Sequence, residues 1–197
     1  MDLELRSWIP TDLESRLDAI EAPIPRMEGL RPAAVLALLM THGTERLLLT
    51  ERSGALRNHA GQISFPGGKP DPEDPSLLDT ALREAREEVG VDPSLVRALG
   101  RLPPVPTPSG YLIFPFVARI DVPWTPAIES PAEVAKILTP PLATLADPKI
   151  YIDQGEREWR GHRYRMHAFD IANPPLWGAT ARMVFQLLGR LGVEHAR

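Results

Sequence analysis

The chain has no cysteine, which excludes a disulfide framework and thiol chemistry and leaves nothing soft to favour zinc. Aromatic residues are sparse at 6%. The longest apolar run, residues 33–40, falls far short of the ~20 residues that a membrane-spanning helix needs. Lys and Arg number 22 against 26 Asp and Glu and gather into no stripe, so the electrostatic footprint of a nucleic-acid surface is missing. The acidic start Met-Asp-Leu-Glu-Leu lacks the basic and then apolar sequence of a secretory signal. These absences predict a soluble, cytoplasmic protein that acts on a small molecule, with no nucleic-acid or membrane partner.

What is present describes a globular enzyme-sized unit. A length of 197 residues and a hydrophobic fraction of 43% suit one substantial core. The 22 prolines form no repeat and read as punctuation between elements. Residues 1–30 are expected to be an N-terminal helical extension, because Thr11-Asp12-Leu13-Glu14 has the form of a capping box and Leu13, Leu17 and Ile20 recur at the helical interval. Residues 31–197 are expected to form the main domain. Its strands are placed at 33–40, 46–51, 62–65, 96–102 and 111–120, with Pro115 marking a bulge or an edge. Further on, the pattern gives a strand within 128–138, a short helix at 141–146, a hairpin from 150–152 and 164–169, and a closing amphipathic helix over 177–191.

The densest chemistry lies between Gly67 and Val91. Asp74 is placed to cap a helix with Pro75 in its first turn, and Gly90 to close it. Leu78, Ala81, Leu82, Ala85 and Val89 would make the buried stripe, turning Glu84, Glu87 and Glu88 toward the opposite or flanking surface. Three carboxylates at helical spacing repel one another, so a cation is expected among them, and oxygen donors suit Mg²⁺ or Mn²⁺. The bland alternative is a solvated amphipathic helix whose charges only confer solubility.

The run from Gly68 to Val91 resembles the Nudix box, G-x5-E-x7-R-E-U-x-E-E-x-G-U, where U is a bulky aliphatic residue. It departs from that pattern by one extra residue between Gly68 and Arg83, by Pro75 in the place of the leading Glu, with Asp74 the nearest substitute, and by the small Ala85. Upstream, Leu48-Leu49-Thr50, Arg52-Ser53, Arg57, Gly61 and Phe65-Pro66-Gly67-Gly68 match every specified position of L-L-T-x-R-S-x3-R-x3-G-x3-F-P-G-G, a signature similar to that of the coenzyme A pyrophosphatase branch of the Nudix hydrolases.

The resemblance implies an α/β fold, an α/β/α sandwich with a mixed central sheet. It also implies metal-dependent hydrolysis of the diphosphate of coenzyme A or its derivatives, giving 3′,5′-ADP and 4′-phosphopantetheine. Carried over residue by residue, Glu84, Glu87 and Glu88 would be ligands of Mg²⁺ or Mn²⁺, and Arg83 would orient Glu87. Gly67 and Gly68 would bring main chain close to the ligand, and Arg52 and Arg57 would meet substrate phosphates. The general base is expected to be a box glutamate or one of two carboxylates outside it, Glu129 and Glu133. Two other readings compete: a Nudix enzyme for ADP-ribose or a dinucleotide, and a non-catalytic Nudix module that binds a nucleotide or a partner.

Overall fold

A computed structural model of the chain describes residues 7–55 and 59–194. Its strands are β1 (Arg31–Met40), β2 (Arg46–Leu47), β3 (Leu49–Arg52), β4 (Ile63–Ser64), β5 (Gly67–Gly68), β6 (Arg97–Arg101), β7 (Val105–Pro106), β8 (Tyr111–Ile120), β9 (Val134–Leu138), β10 (Tyr151–Trp159), β11 (His162–Phe169) and β12 (Leu176–Trp177). Its helices are α1 (Leu77–Val89), α2 (Leu142–Leu145) and α3 (Gly178–Arg190).

The continuous apolar run of β1 is explained by burial on both faces, as parallel strands require. β1 lies parallel to β8 from Arg31↔Tyr111 to Met40↔Ile120. Because side chains alternate along a strand, Ala34, Leu36 and Leu38 join Ala81, Ala85 and Val89 of α1 in one core. Val35, Ala37 and Leu39 join Val184, Leu187 and Leu188 of α3 in the other. The result is an α/β/α sandwich. Its six-stranded mixed sheet runs β2-β1-β8-β6, with β5 also paired to β1 and β7 to β8. Two antiparallel three-stranded sheets, β4-β3-β9 and β10-β11-β12, complete it.

Several local expectations are corrected. The N-terminal helix is a single 3₁₀ turn over Leu13–Arg16 with no side-chain cap, because Leu17 is already extended and Asp18 exchanges two backbone hydrogen bonds with Arg101 at 3.0 Å each. One turn offers too few hydrogen bonds to propagate against that competing strand contact. Residues 46–51 are divided at Leu48 into β2, which stays with β1, and β3, which turns to β4 and β9. Pro115 lies in the central strand β8, at neither an edge nor a bulge. It falls where the antiparallel partner changes from β6 to β7, a gap in which only its carbonyl is used, by the Leu102 amide at 2.9 Å. The hairpin is longer than its apolar ends suggest, since β10 and β11 continue to an Arg160-Gly161 turn, both residues at positive φ. Among the described residues no helix is long and apolar enough to cross a membrane.

Candidate active site

The first turn of α1 is set by Ser76, whose hydroxyl accepts from the Asp79 amide at 3.2 Å and donates to the Asp79 carboxylate at 2.6 Å. Asp74 and Pro75 therefore precede the helix and do not begin it. The Asp74 carboxylate is engaged elsewhere: Arg83 grips it with two prongs, Nε to Oδ1 at 2.9 Å and Nη2 to Oδ2 at 3.0 Å. The Thr80 hydroxyl and the Asp71 amide donate to the same Oδ2 at 2.9 and 2.8 Å. The Arg83 hydrogen bonds, followed by that of the Asp71 amide, hold the Asp74 carboxyl well below the usual carboxylate range. Arg83 also bonds Glu87 Oε2 at 3.2 Å and the Lys69 carbonyl at 3.2 Å, and its Nη1 lies 3.1 Å from Glu84 Oε1. Gly90, at φ 71°, closes the helix as expected.

The inner side of α1 differs from the expected stripe. Ala81, Ala85 and Val89 are buried, but Leu78 and Leu82 are only half-buried, and Thr80 and Glu88 take buried places. Glu88 follows Ala81 and Ala85 at helical intervals, so it lies beside the stripe and not opposite it. It is 4% exposed.

The two glycines of β5 cover this carboxylate pair. They pair antiparallel with Val35 and Ala34, and a Cβ on Gly67 would come 2.3 Å from the Ala34 carbonyl oxygen. A Cβ on Gly68 would come 2.4 Å from Glu84 Oε1, so the missing side chain is the space that the Glu84 carboxylate occupies. The Gly67 amide donates to Glu88.

Electrostatics single out the same pair. Glu88 is pushed up to about 8, first by burial and then by the Glu84 charge, with Glu133 adding to the effect and the Gly67 amide and Arg52 opposing it. Glu84 is raised by burial first; Arg83 opposes this, and Glu87 and Glu133 contribute to the rise. Glu133 is thus a third carboxylate acting on both. It is delivered by the pairing of β3 with β9, in which Arg52 faces Val134 and the Ser53 amide bonds the Glu133 carbonyl at 2.7 Å. Arg52 is half-buried beside them, and its buried Nε has no hydrogen-bond partner among the described residues.

Glu129 goes to a different place. Its amide bonds the Glu88 carbonyl at 3.1 Å, but its carboxylate folds over Gly90. There it lines a cleft of about 870 Å³ with Leu82, Arg83, Arg86, Glu87 and Asp92, a cleft that includes neither Glu84 nor Glu88. Glu87 is 56% exposed on this outer rim, from which its charge still reaches Glu84. Arg57 lies outside the described residues. His59 is a loop residue bonded through Nδ1 to Gln62 Oε1 at 2.8 Å.

Among the described residues no three His, Cys, Asp or Glu side chains are gathered as a ready-made metal cage. The donor set still fits a hard divalent ion. Glu84 raises the cost of ionising Glu88 beside it, Glu87 and Glu133 raise that of Glu84, and a cation among them would offset that cost. Mg²⁺ keeps several waters or phosphate oxygens in its shell, so two protein carboxylates suffice. Sequence reading missed two features. One is the clamp on Arg83, whose only signal was the carboxylate next to the position normally held by Glu. The other is which of Glu129 and Glu133 has its charge at the pair, which depends on strand pairing.

A model of the NUDIX domain matches residues 30–170. The chain is 38% identical over 187 residues to a protein of Photorhabdus laumondii named uncharacterized Nudix hydrolase NudL, covering 93% of this chain and 98% of that one. It is 41% identical over 158 residues to the protein of the same name from Pectobacterium atrosepticum, covering 80% and 81%. Among solved structures it resembles a Nudix hydrolase from M. smegmatis, RenU, with a TM-score of 0.50 at 20% identity over 66% of this chain and 81% of that one.

Proposed function

Because the chain belongs to the Nudix family, we propose that it is a metal-dependent pyrophosphohydrolase that cuts coenzyme A or its derivatives at the diphosphate, giving 3′,5′-ADP and 4′-phosphopantetheine. The observation that supports catalysis is the buried Glu88 carboxyl, raised by burial and by the half-buried Glu84 beside it, under the glycines of β5. The choice of coenzyme A rests on the signature from Leu48 to Gly68, which places Arg52 next to that pair.

Glu84 and Glu88 would be the inner holders of Mg²⁺ or Mn²⁺, and Glu87, oriented by Arg83, would complete the set from the rim. The ion, when bound, neutralises phosphate charge and acidifies water. In the reaction one P–O bond forms from a water oxygen and the bridging P–O bond breaks, the water proton passing to a carboxylate. Glu133 is the better placed of the two bases outside the box, since its charge reaches both Glu84 and Glu88. The orphaned Nε of Arg52 is a donor awaiting an acceptor, and a diphosphate oxygen is the acceptor of matching charge. Arg57 is proposed as a second phosphate contact on the signature alone.

The test is a panel of coenzyme A, dephospho-coenzyme A, ADP-ribose and dinucleotides with Mg²⁺ or Mn²⁺, with products resolved by chromatography. Preferred release of 3′,5′-ADP and 4′-phosphopantetheine is expected. Preference for ADP-ribose or a dinucleotide would replace the substrate assignment, and binding without turnover of any of them would overturn the enzymatic one.

A further inference from the structure

Three residues just outside the carboxylate pair form a cationic cluster with no acid in it. The Arg31 guanidinium lies over the Tyr111 ring, 4.7 Å from its centroid, and its Nη2 donates to the Tyr111 hydroxyl at 3.0 Å. The Lys69 ammonium approaches the same ring, at 5.8 Å. Among the described residues neither cation makes an ion pair within 4.0 Å. Two like charges on one ring repel each other, and the ring alone offers each only a modest attraction. An anion between them would satisfy both.

The backbone fixes where that anion would be. Lys69 directly follows Gly68, and its carbonyl is held by Arg83. Arg31 is aligned with Tyr111 at the start of the parallel β1 and β8 pair, and it precedes Ala34, the partner of Gly68, by three positions. Three residues of extended strand span roughly 10 Å. The cluster therefore borders the carboxylate pair from one side along β1, where it can meet an anionic group other than the one held at the pair.

We infer that Arg31 and Lys69, held on the Tyr111 ring, form a second anion site that recognises a phosphomonoester on the nucleotide, separate from the diphosphate that is cut. This rests on the proposed reading of the site as a nucleoside-diphosphate hydrolase. It also divides labour among the arginines: Arg52 serves the diphosphate, and Arg31 with Lys69 selects ligands carrying the extra phosphate.

The test compares wild type with the double variant Arg31→Gln, Lys69→Gln. Calorimetry with Mg²⁺ present measures binding of 3′,5′-ADP and of AMP, which lacks the phosphomonoester in question. Wild type is expected to bind 3′,5′-ADP about 10- to 100-fold more tightly, the size of a charge-assisted contact, and the double variant is expected to bind the two within a few-fold. The ratio of kcat/KM for coenzyme A over dephospho-coenzyme A should fall in parallel. Equal binding of the two ligands by wild type, or an undiminished preference in the double variant, would overturn the site. If the binding preference behaves as expected but coenzyme A is not hydrolysed, the anion site stands and the proposed substrate fails.

Discussion

On the outer side of α1, Arg83 is held by Asp74 with two prongs and by Glu87 with one, and these three side chains satisfy one another. On the inner side, Glu88 has one amide donor and a like-charged neighbour, and Arg52 has a buried Nε with no partner among the described residues. Glu84 joins the two sides, touching Arg83 while its carboxylate fills the space over Gly68. Burying charge without a partner destabilises a fold. The outer side chains find their partners within the fold, whereas the inner ones leave donors and acceptors for which a ligand is the proposed partner.

The sharpest way to break this comparison is Glu88→Gln, which keeps shape and removes charge. Turnover at saturating Mg²⁺ should fall by several orders of magnitude, while the metal-free protein at pH 8 should melt no lower than wild type, since a buried charge has been removed. Near-normal turnover, or a large fall in melting temperature, would make the inner carboxylates structural.

A pH series tests the same claim without mutation. The Glu88 carboxyl titrates near 8 in the folded chain against an ordinary value of 4.5, so the fold binds an extra proton between those values. Its contribution to stability is complete below about pH 4.5 and is lost as pH rises toward 8. Metal-free protein should therefore melt lower as pH rises through that window, and Mg²⁺ should reverse the loss. Because the ion must displace the proton, Mg²⁺ affinity should rise about tenfold per pH unit up to pH 8, or about 100-fold from pH 6. A flat affinity over that range would contradict the placement of the charge.

The adjacent glycines separate folding from function most cleanly. Gly67→Ala directs a methyl at the Ala34 main chain from a φ of 153°, so it should mainly lower the melting temperature. Gly68→Ala directs one at the Glu84 carboxylate, which can rotate away, so it should fold and lose roughly 100-fold in kcat/KM through a misplaced ligand. The reverse pattern would mean that β5 is only a strand.

How much of this was legible depended on how local the cause was. β8 has the bounds read from its apolar run, and Gly90 caps α1 where expected, because the strand and helix signals lie within the segments themselves. The flanking place of Glu88 follows from its spacing from Ala81 and Ala85, but its burial does not, because what covers that flank is β5, a separate segment. The nearness of Glu133 to the pair depends on the β3 and β9 register, and the Arg31 and Tyr111 cluster on a parallel pairing of segments 80 residues apart. Spacing along one segment encodes neither. The missed split of the strand at Leu48 has the same origin: Leu47, Leu48 and Leu49 are all buried, and nothing in three leucines says which sheet each will join.

The smallest expected effect belongs to the outer cluster and tests its structural character. Asp74→Asn preserves the outline of the side chain but replaces a carboxylate that accepts from Arg83 at both oxygens with an amide that can accept at one. Arg83 keeps Glu84 and Glu87 as partners, so its position should loosen without being lost, and kcat/KM should fall by no more than about tenfold. Stability carries the clearer signature. The Asp74 carboxyl is held well below its ordinary range, so it contributes stability above the ordinary carboxylate pKa of about 3.9, and that contribution disappears as pH falls toward its folded value. The variant should therefore unfold at lower denaturant than wild type at pH 7, and the gap between them should shrink as pH drops below about 4. A gap independent of pH would mean that Asp74 acts through packing alone. A loss of turnover as large as that of Glu88→Gln would mean that the outer cluster belongs to the reacting centre, and the distinction between the two sides of α1 would no longer hold.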